Sequence, residues 1–170
     1  ILYLLPEIAL TTQIINRLQK VFGNQVGVYH SKFNESERVE VWKNLMRNEN
    51  EISDMPRFNI VLGVRSSIFL PFNNLGLIIV DEEHDSSYKQ VDPAPRYQAR
   101  DCALYLGQLH GAKILLGSAT PSIESFYNAK TSKYGLVEMR ERFGGMLMPI
   151  IEIADTKRAK ANKSMKTHFT

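Results

Sequence analysis

The residues able to do chemistry stand together at one place. An apolar run, Leu75–Val80, passes without a turn into Asp81, Glu82, Glu83 and His84. Ionised carboxylates are costly to bury unless something pairs with them. Either the chain surfaces there as an acidic turn, or a cation is meant to meet the carboxylates. An apolar strand closing in Asp-Glu is the pattern of a nucleotide-hydrolysing site. In such a site Asp81 holds a hydrated Mg²⁺ on the phosphates and Glu82 polarises the attacking water. His84, two residues on, is placed to hydrogen-bond a neighbouring segment and report whether phosphate is present.

A second segment tips the balance. Lys113–Leu116 is another apolar run, and it ends in Gly117-Ser118-Ala119-Thr120-Pro121. The hydroxyls of Ser118 and Thr120 suit a hydrogen bond to a carboxylate or His at the same sheet edge. Pro121 fits a first helical position, with Thr120 or Ser118 as cap. Alone, this is an ordinary capped strand–helix turn. One strand after Asp-Glu-Glu-His, it reads as the other half of a site.

Six apolar, β-prone runs are available to carry these residues: Ile1–Leu5, Gln25–Tyr29, Phe58–Leu62, Leu75–Val80, Ala112–Leu116 and Tyr134–Met139. Most are continuous rather than alternating, as in parallel strands covered on both faces. Helical spacing predicts Thr11–Phe22, with Ile14, Ile15, Leu18 and Val21–Phe22 on one stripe. It predicts a second helix over Asn34–Asn48, capped by Asn34 or Ser36, with Val39, Trp42, Leu45 and Met46 inward. Arg96–Leu109 and Ser122–Ala129 complete the set. Strand and helix alternate, so the expected fold is an α/β domain with a mostly parallel sheet and ligands beyond its carboxyl edge. Asn48–Arg57 reads as a surface loop, Arg140–Pro149 as a linker and Ile150–Asp155 as one more strand-like piece. The Lys-rich tail Thr156–Thr170 has no apolar period and is expected to be mobile.

The bulk numbers fit one globular domain: 170 residues, 44% of them hydrophobic. The formal charge of +3 identifies no partner by itself. Residues 1–129 carry 12 Lys/Arg against 14 Asp/Glu, and residues 130–170 carry 9 against 4, so the basic excess sits in the last quarter. Cys102 is the only cysteine, which excludes an internal disulfide and any Cys-based zinc site. A reducing, cytoplasmic setting is the default. No apolar run approaches the roughly 18 residues of a membrane span. The start, ILYLLPE, lacks an initiator Met and the charged n-region of a signal, and reads as a strand cut from a longer chain.

Further segments join the two motifs: LLPEIALTTQ, YHSKFNESER, GVRSSIFLPFNNLGLIIVDEEHDSSYKQ, PRYQARD and LGSATPSIES. Together, in this order, they closely resemble the bacterial replication-restart helicases of the PriA (primosomal protein N′) family, within superfamily 2. The resemblance runs from Ile1 to about Ser125. It implies a RecA-like (P-loop NTPase) lobe over residues 1–139, a mostly parallel sheet with helices on both faces. Residues 140–170 would then be the linker and the start of the connection to a second lobe.

By position, the resemblance makes Asp81 the Mg²⁺ ligand and Glu82 the catalytic carboxylate for ATP. His84 with Ser118, Ala119 and Thr120 would couple nucleotide state to DNA. Pro6, Glu7 and Thr11 match motif Ia, along the DNA backbone. Gly63, Arg65 and Ser66 match motif Ib, with Arg65 the chosen phosphate contact because its fork suits phosphate geometry. Asp85–Arg100 matches an aromatic-rich loop in which Tyr88, Lys89, Arg96 and Tyr97 would stack on bases and follow the backbone. The parent is implied to be a 3′→5′ ATPase motor on forked or single-stranded DNA in the bacterial cytoplasm. Primosome and single-strand-binding proteins would be its partners.

The departures carry weight too. No G-x-x-x-x-G-K-[ST] is present, so the Walker A strand and loop are absent and the lobe is incomplete. The family's second lobe, its arginine finger, its zinc-binding cysteines and its N-terminal DNA-binding domain also lie outside this chain. The chain alone is therefore expected to be inactive. The missing strand would leave Lys113–Leu116 with an unpaired edge, which predicts self-association or an upstream segment filling the gap. His30 and His110 serve packing or solvation, since no metal spacing surrounds them. Three alternatives stand beside this reading. One is a lobe of another superfamily 2 DNA translocase, against which SSYKQ and PRYQARD argue. Another is a non-catalytic DNA- or partner-binding module. The third is a carboxylate-metal hydrolase using Asp81, Glu82 and Glu83, which needs a ligand from a further strand end.

Overall fold

The computed structural model describes residues 1–6, 12–30, 34–47, 56–141, 144, 150 and 155–162. They fall into two units, Ile1–Tyr134 and Gly135–Thr170.

In the first unit five strands form one parallel sheet: β1 Leu2–Leu4, β2 Val26–Tyr29, β3 Ile60–Gly63, β4 Leu77–Val80 and β5 Lys113–Leu116. Their order is β2-β3-β1-β4-β5. The first strand of the chain is thus the central one, hydrogen-bonded to β3 on one side and β4 on the other. Leu2 and Leu4 are both fully buried, which explains a run with no polar residue. Among the described residues of this unit the α-helices are α1 Thr12–Phe22, α2 Glu35–Met46, α3 Ala99–His110 and α4 Ile123–Lys130.

Side-chain alternation along the strands divides the core. Tyr3, Leu5, Val26, Val28, Ile60 and Leu62 turn to one face, where Ile14, Ile15 and Leu18 of α1 cover them. On the other face, Leu2, Leu4, Ile78 and Val80 pack with Ala99 and Ala103 of α3. Tyr29 and Val61 pack with Val41 and Leu45 of α2. Helices therefore lie on both faces of a parallel sheet. Gly107 of α3 lets that helix approach β5, since a Cβ there would sit 2.5 Å from Ile114 Cδ1.

Several expectations need correction. On α2 the inward stripe is Val41, Asn44 and Leu45, whereas Val39, Trp42 and Met46 are exposed. Asn44 is inward because its amide is satisfied there, donating to Pro56 O at 3.0 Å and accepting from Phe58 N at 2.9 Å. Val21 and Phe22 of α1 are exposed rather than packed. α3 begins at Ala99, after Gln98, so Arg96 and Tyr97 belong to the preceding loop. Ser122 caps α4, and Pro121 precedes the cap instead of opening the helix. Residues 134–139 form no strand. Val137 and Met139 are almost fully exposed, with no neighbour among the described residues to supply the pairing that a β-prone run needs.

The second unit contributes one described helix, α5 Thr156–Ala161, at the start of the stretch expected to be a mobile tail, whose residues 163–170 lie outside the described residues. Asp155 starts it, its carboxylate accepting from Lys157 N and Arg158 N. The strand expected over Ile150–Asp155 falls mostly outside the described residues.

Candidate active site at the carboxyl edge of the sheet

The central strands deliver the acidic cluster. Asp81 follows β4 directly, and its N–H donates to Leu4 O at 3.0 Å, extending the ladder by one step beyond the strand. Its carboxylate accepts from Tyr3 Oη at 3.0 Å on one oxygen and from Glu82 N at 3.0 Å on the other. Burial, then the charge of Asp81 and that hydrogen bond, push the Tyr3 phenol up to about 12. It therefore remains a donor at neutral pH. Glu82 adopts a left-handed backbone, φ +45°, which is strained for a residue with a side chain. That twist turns the chain so that Glu82 is half-exposed, Glu83 points inward and His84 outward.

His84 joins the two motifs. Its Nδ1 lies 2.7 Å from Ser118 Oγ, and its Nε2 lies 3.3 Å from Thr120 Oγ1. Glu82 reaches the same Nδ1 at 3.6 Å. The backbones are tied as well, Glu83 N donating to Gly117 O at 3.0 Å and Gly117 N to Val80 O at 2.9 Å. Asp81, Glu82, His84, Ser118 and Thr120 thus meet at one edge, and Ala119 is exposed on the turn between the hydroxyls.

The residues expected to face DNA divide into distinct groups. Pro6 is buried behind β1, while Glu7 and Thr11 lie outside the described residues. Gly63 ends β3, where a Cβ would collide with Ser67. Ser66 is exposed on the 3-10 turn Arg65–Phe69. Arg65 spends one guanidinium nitrogen on the loop, donating to Ser87 O at 3.2 Å and Lys89 O at 2.9 Å. Lys89 and Arg96 are exposed. Tyr97 is half-buried, its ring edge-on to Phe69 at 4.8 Å between centroids.

Tyr88 is a correction. Its ring was expected to stack on a base, but it is fully buried in the core beneath the cluster. Its hydroxyl donates to Asp81 O at 2.7 Å, and burial pushes the phenol up. The reason is local. Asp85 accepts from Ser87 N at 2.7 Å and opens a short 3-10 turn, Ser86–Tyr88, that drives the ring inward. The loop then closes through Gln90 N to Tyr97 O at 2.8 Å.

Comparison with known proteins decides the family. The model described as "DEAD/DEAH box helicase" matches residues 1–128. The chain belongs to the DEAD/DEAH box helicase family. It is 42% identical over 170 residues to Replication restart protein PriA of Chlamydia muridarum, covering 100% of this chain and 22% of that protein. It is 44% identical over 164 residues to the protein of the same name from Rickettsia prowazekii, covering 96% and 24%. With that of Bacillus subtilis it shares 40% over 164 residues, covering 95% and 19%. The chain thus spans about a fifth of the length of these curated relatives.

Glu83, the third of the four residues Asp81–His84, is almost fully buried. Its carboxylate accepts from Ser122 N at 2.6 Å, Ser122 Oγ at 3.1 Å, Ser125 Oγ at 2.9 Å and Arg100 Nη1 at 3.1 Å. Burial pushes this carboxyl up, but those donors outweigh it and hold it below the ordinary carboxylate range. Sequence reasoning named Glu83 only as a member of the acidic cluster and an alternative metal ligand, and missed Arg100, Ser122, Ser125 and Tyr3 as members of the site. The one available signal was Arg100 in PRYQARD, a cation at a helix start with no stated partner.

Proposed function

We propose that the chain is part of an ATP-dependent motor that moves 3′→5′ on DNA and restarts stalled replication forks. The observation carrying this reading is the His84 bridge, which joins the acidic turn after β4 to the hydroxyl turn after β5. An acidic turn that merely met solvent would need no such partners. Family membership and the similarity to proteins named for replication restart support the same reading.

In this reading Asp81 ligates Mg²⁺ on the nucleotide, and Glu82 orients the water. The donors fit. Asp81 is half-buried and its orientation is fixed by Tyr3 and by the Glu82 N–H. Among the described residues no three His, Cys, Asp or Glu side chains gather to hold a metal. A Mg²⁺ at Asp81 would therefore complete its shell with phosphate oxygens and water, its usual habit. Bound Mg·ATP supplies the electrophilic phosphate. Glu82, half-exposed beside that position, is free to accept a proton. His84 senses the site through Ser118 and Thr120, with Ala119 exposed between them.

On the DNA side, Arg65, Ser66, Lys89, Arg96 and Tyr97 supply cations, a hydroxyl and a ring on neighbouring loops. Pro6 and Gly63 shape the backbone, and Glu7 and Thr11, outside the described residues, are assigned to DNA contact by the resemblance alone. Primosome and single-strand-binding proteins are the partners this role implies, in the bacterial cytoplasm. No helix among the described residues is long and apolar enough to cross a membrane.

The test uses the full-length protein that carries this chain. Single-stranded DNA should stimulate its ATP hydrolysis. Glu82→Gln should lower kcat by about 10³-fold or more while nucleotide still binds. Hydrolysis by that variant at the wild-type rate refutes the assignment. The 170-residue chain alone, lacking G-x-x-x-x-G-K-[ST], should show no turnover.

A further inference from the structure

The buried cluster around Glu83 has no role in the chemistry just described, yet its carboxylate is densely hydrogen-bonded. Four hydrogen bonds from three residues converge on one carboxylate that is 1% exposed. Arg100 Nη1 also donates to Ser122 Oγ at 2.7 Å, and Arg100 Nε donates to Asp101 at 3.0 Å. No face of Glu83 is left for substrate or metal.

Stability alone does not account for this arrangement. A buried ion pair repays its desolvation poorly, and apolar replacements of equal volume are often neutral or better. What a buried, fully bonded pair can do is fix register. Glu83 shares its backbone with Glu82 and His84, and its N–H bonds Gly117 O. Its carboxylate seizes the first turn of α4, directly after Ser118–Thr120, and the first turn of α3, directly after the loop 85–98. Moving either helix start breaks charge-assisted bonds in a low dielectric or drags Glu82 along.

Building on the motor reading above, we propose that Glu83 is a positioning residue for nucleotide hydrolysis. It holds the Asp81–His84 turn in register with the Ser118–Thr120 turn and with the start of α3, acting through Ser122, Ser125 and Arg100. It touches no substrate. Its loss displaces the reacting groups without removing them, so it lowers kcat and spares binding.

The experiment compares Glu83→Gln, the double variant Glu83→Leu/Arg100→Met and Ser125→Ala in the full-length protein. It reads kcat and KM for ATP at saturating single-stranded DNA, DNA affinity and Tm. The double variant leaves no unpaired buried charge, so its Tm should stay near wild type even if Glu83→Gln fails to fold. Its kcat should fall by about tenfold or more, with KM and DNA affinity within about twofold, because small misplacements of reacting groups cost rate. Ser125→Ala should show a smaller loss of the same kind. A double variant that melts and turns over like wild type overturns the proposal. So does a loss confined to KM or to DNA affinity. Wild-type protein that hydrolyses no ATP with DNA present refutes the motor reading instead, a separate result.

Discussion

Tyr88 stabilises through its ring and its hydroxyl separately, and the two are separable by mutation. The ring is buried in the cluster under β1 and β4, while the hydroxyl satisfies the carbonyl of Asp81. Tyr88→Phe keeps the ring and orphans that carbonyl, and should cost about 1 kcal/mol in urea unfolding. Tyr88→Ala should cost about 3–5 kcal/mol, the range for deleting a buried aromatic. If Tyr88→Phe leaves stability untouched and Tyr88→Ala lowers only DNA affinity, the ring is a DNA contact and not an anchor. Tyr3 offers a second test. Tyr3→Phe removes the donor that orients Asp81, so full-length protein should need more Mg²⁺ for half-maximal hydrolysis, roughly tenfold for a hydrogen bond to a charged group. An unchanged Mg²⁺ requirement refutes that role.

At the scale of elements, two helices carry opposite lessons about propensity. α2 is started by a reciprocal capping box, Asn34 accepting from Glu37 N at 2.9 Å and Glu37 accepting from Asn34 N at 3.1 Å. Asn34→Ala should therefore cost about 1 kcal/mol. On α3 local propensity favours replacing Gly107 by Ala, with about 1 kcal/mol to gain. Packing reverses the sign, because the new Cβ meets Ile114 at 2.5 Å. Overpacking of this kind costs about 1–3 kcal/mol, so Gly107→Ala should lower the unfolding midpoint. A rise in that midpoint means α3 shifts away from β5 without penalty.

On the scale of the first unit as a whole, the sheet is well covered around β1 and thinly covered at β5. Among the described residues β5 pairs only with β4, and Leu115 is 55% exposed. Ile123 and Tyr127 of α4 are exposed as well. Unpaired apolar edges recruit partners. The purified 170-residue chain should self-associate in light scattering, and Leu115→Lys should shift it toward monomer. A wild-type chain that stays monomeric at high concentration refutes this.

The sequence by itself made a mostly parallel sheet the expected fold, because continuous apolar runs alternating with helical spacing suit strands covered on both faces, although one such run, residues 134–139, forms no strand. It also determined that the acidic turn and the hydroxyl turn share an edge, since two such strands in one parallel sheet end on the same side. The Asn34 start of α2 was equally legible, its partner Glu37 lying three residues on in the same helix. Tertiary structure alone decided which of three adjacent acids turns inward, for that depends on the left-handed twist at Glu82. It decided that Trp42 stays at the surface while Asn44 goes in, because the partners of Asn44 come from a distant loop. It also decided that Arg65 holds loop carbonyls and that Tyr88 faces the core. In each such case the deciding contact lies far along the chain or depends on a backbone turn, and residue type and spacing carry no record of either.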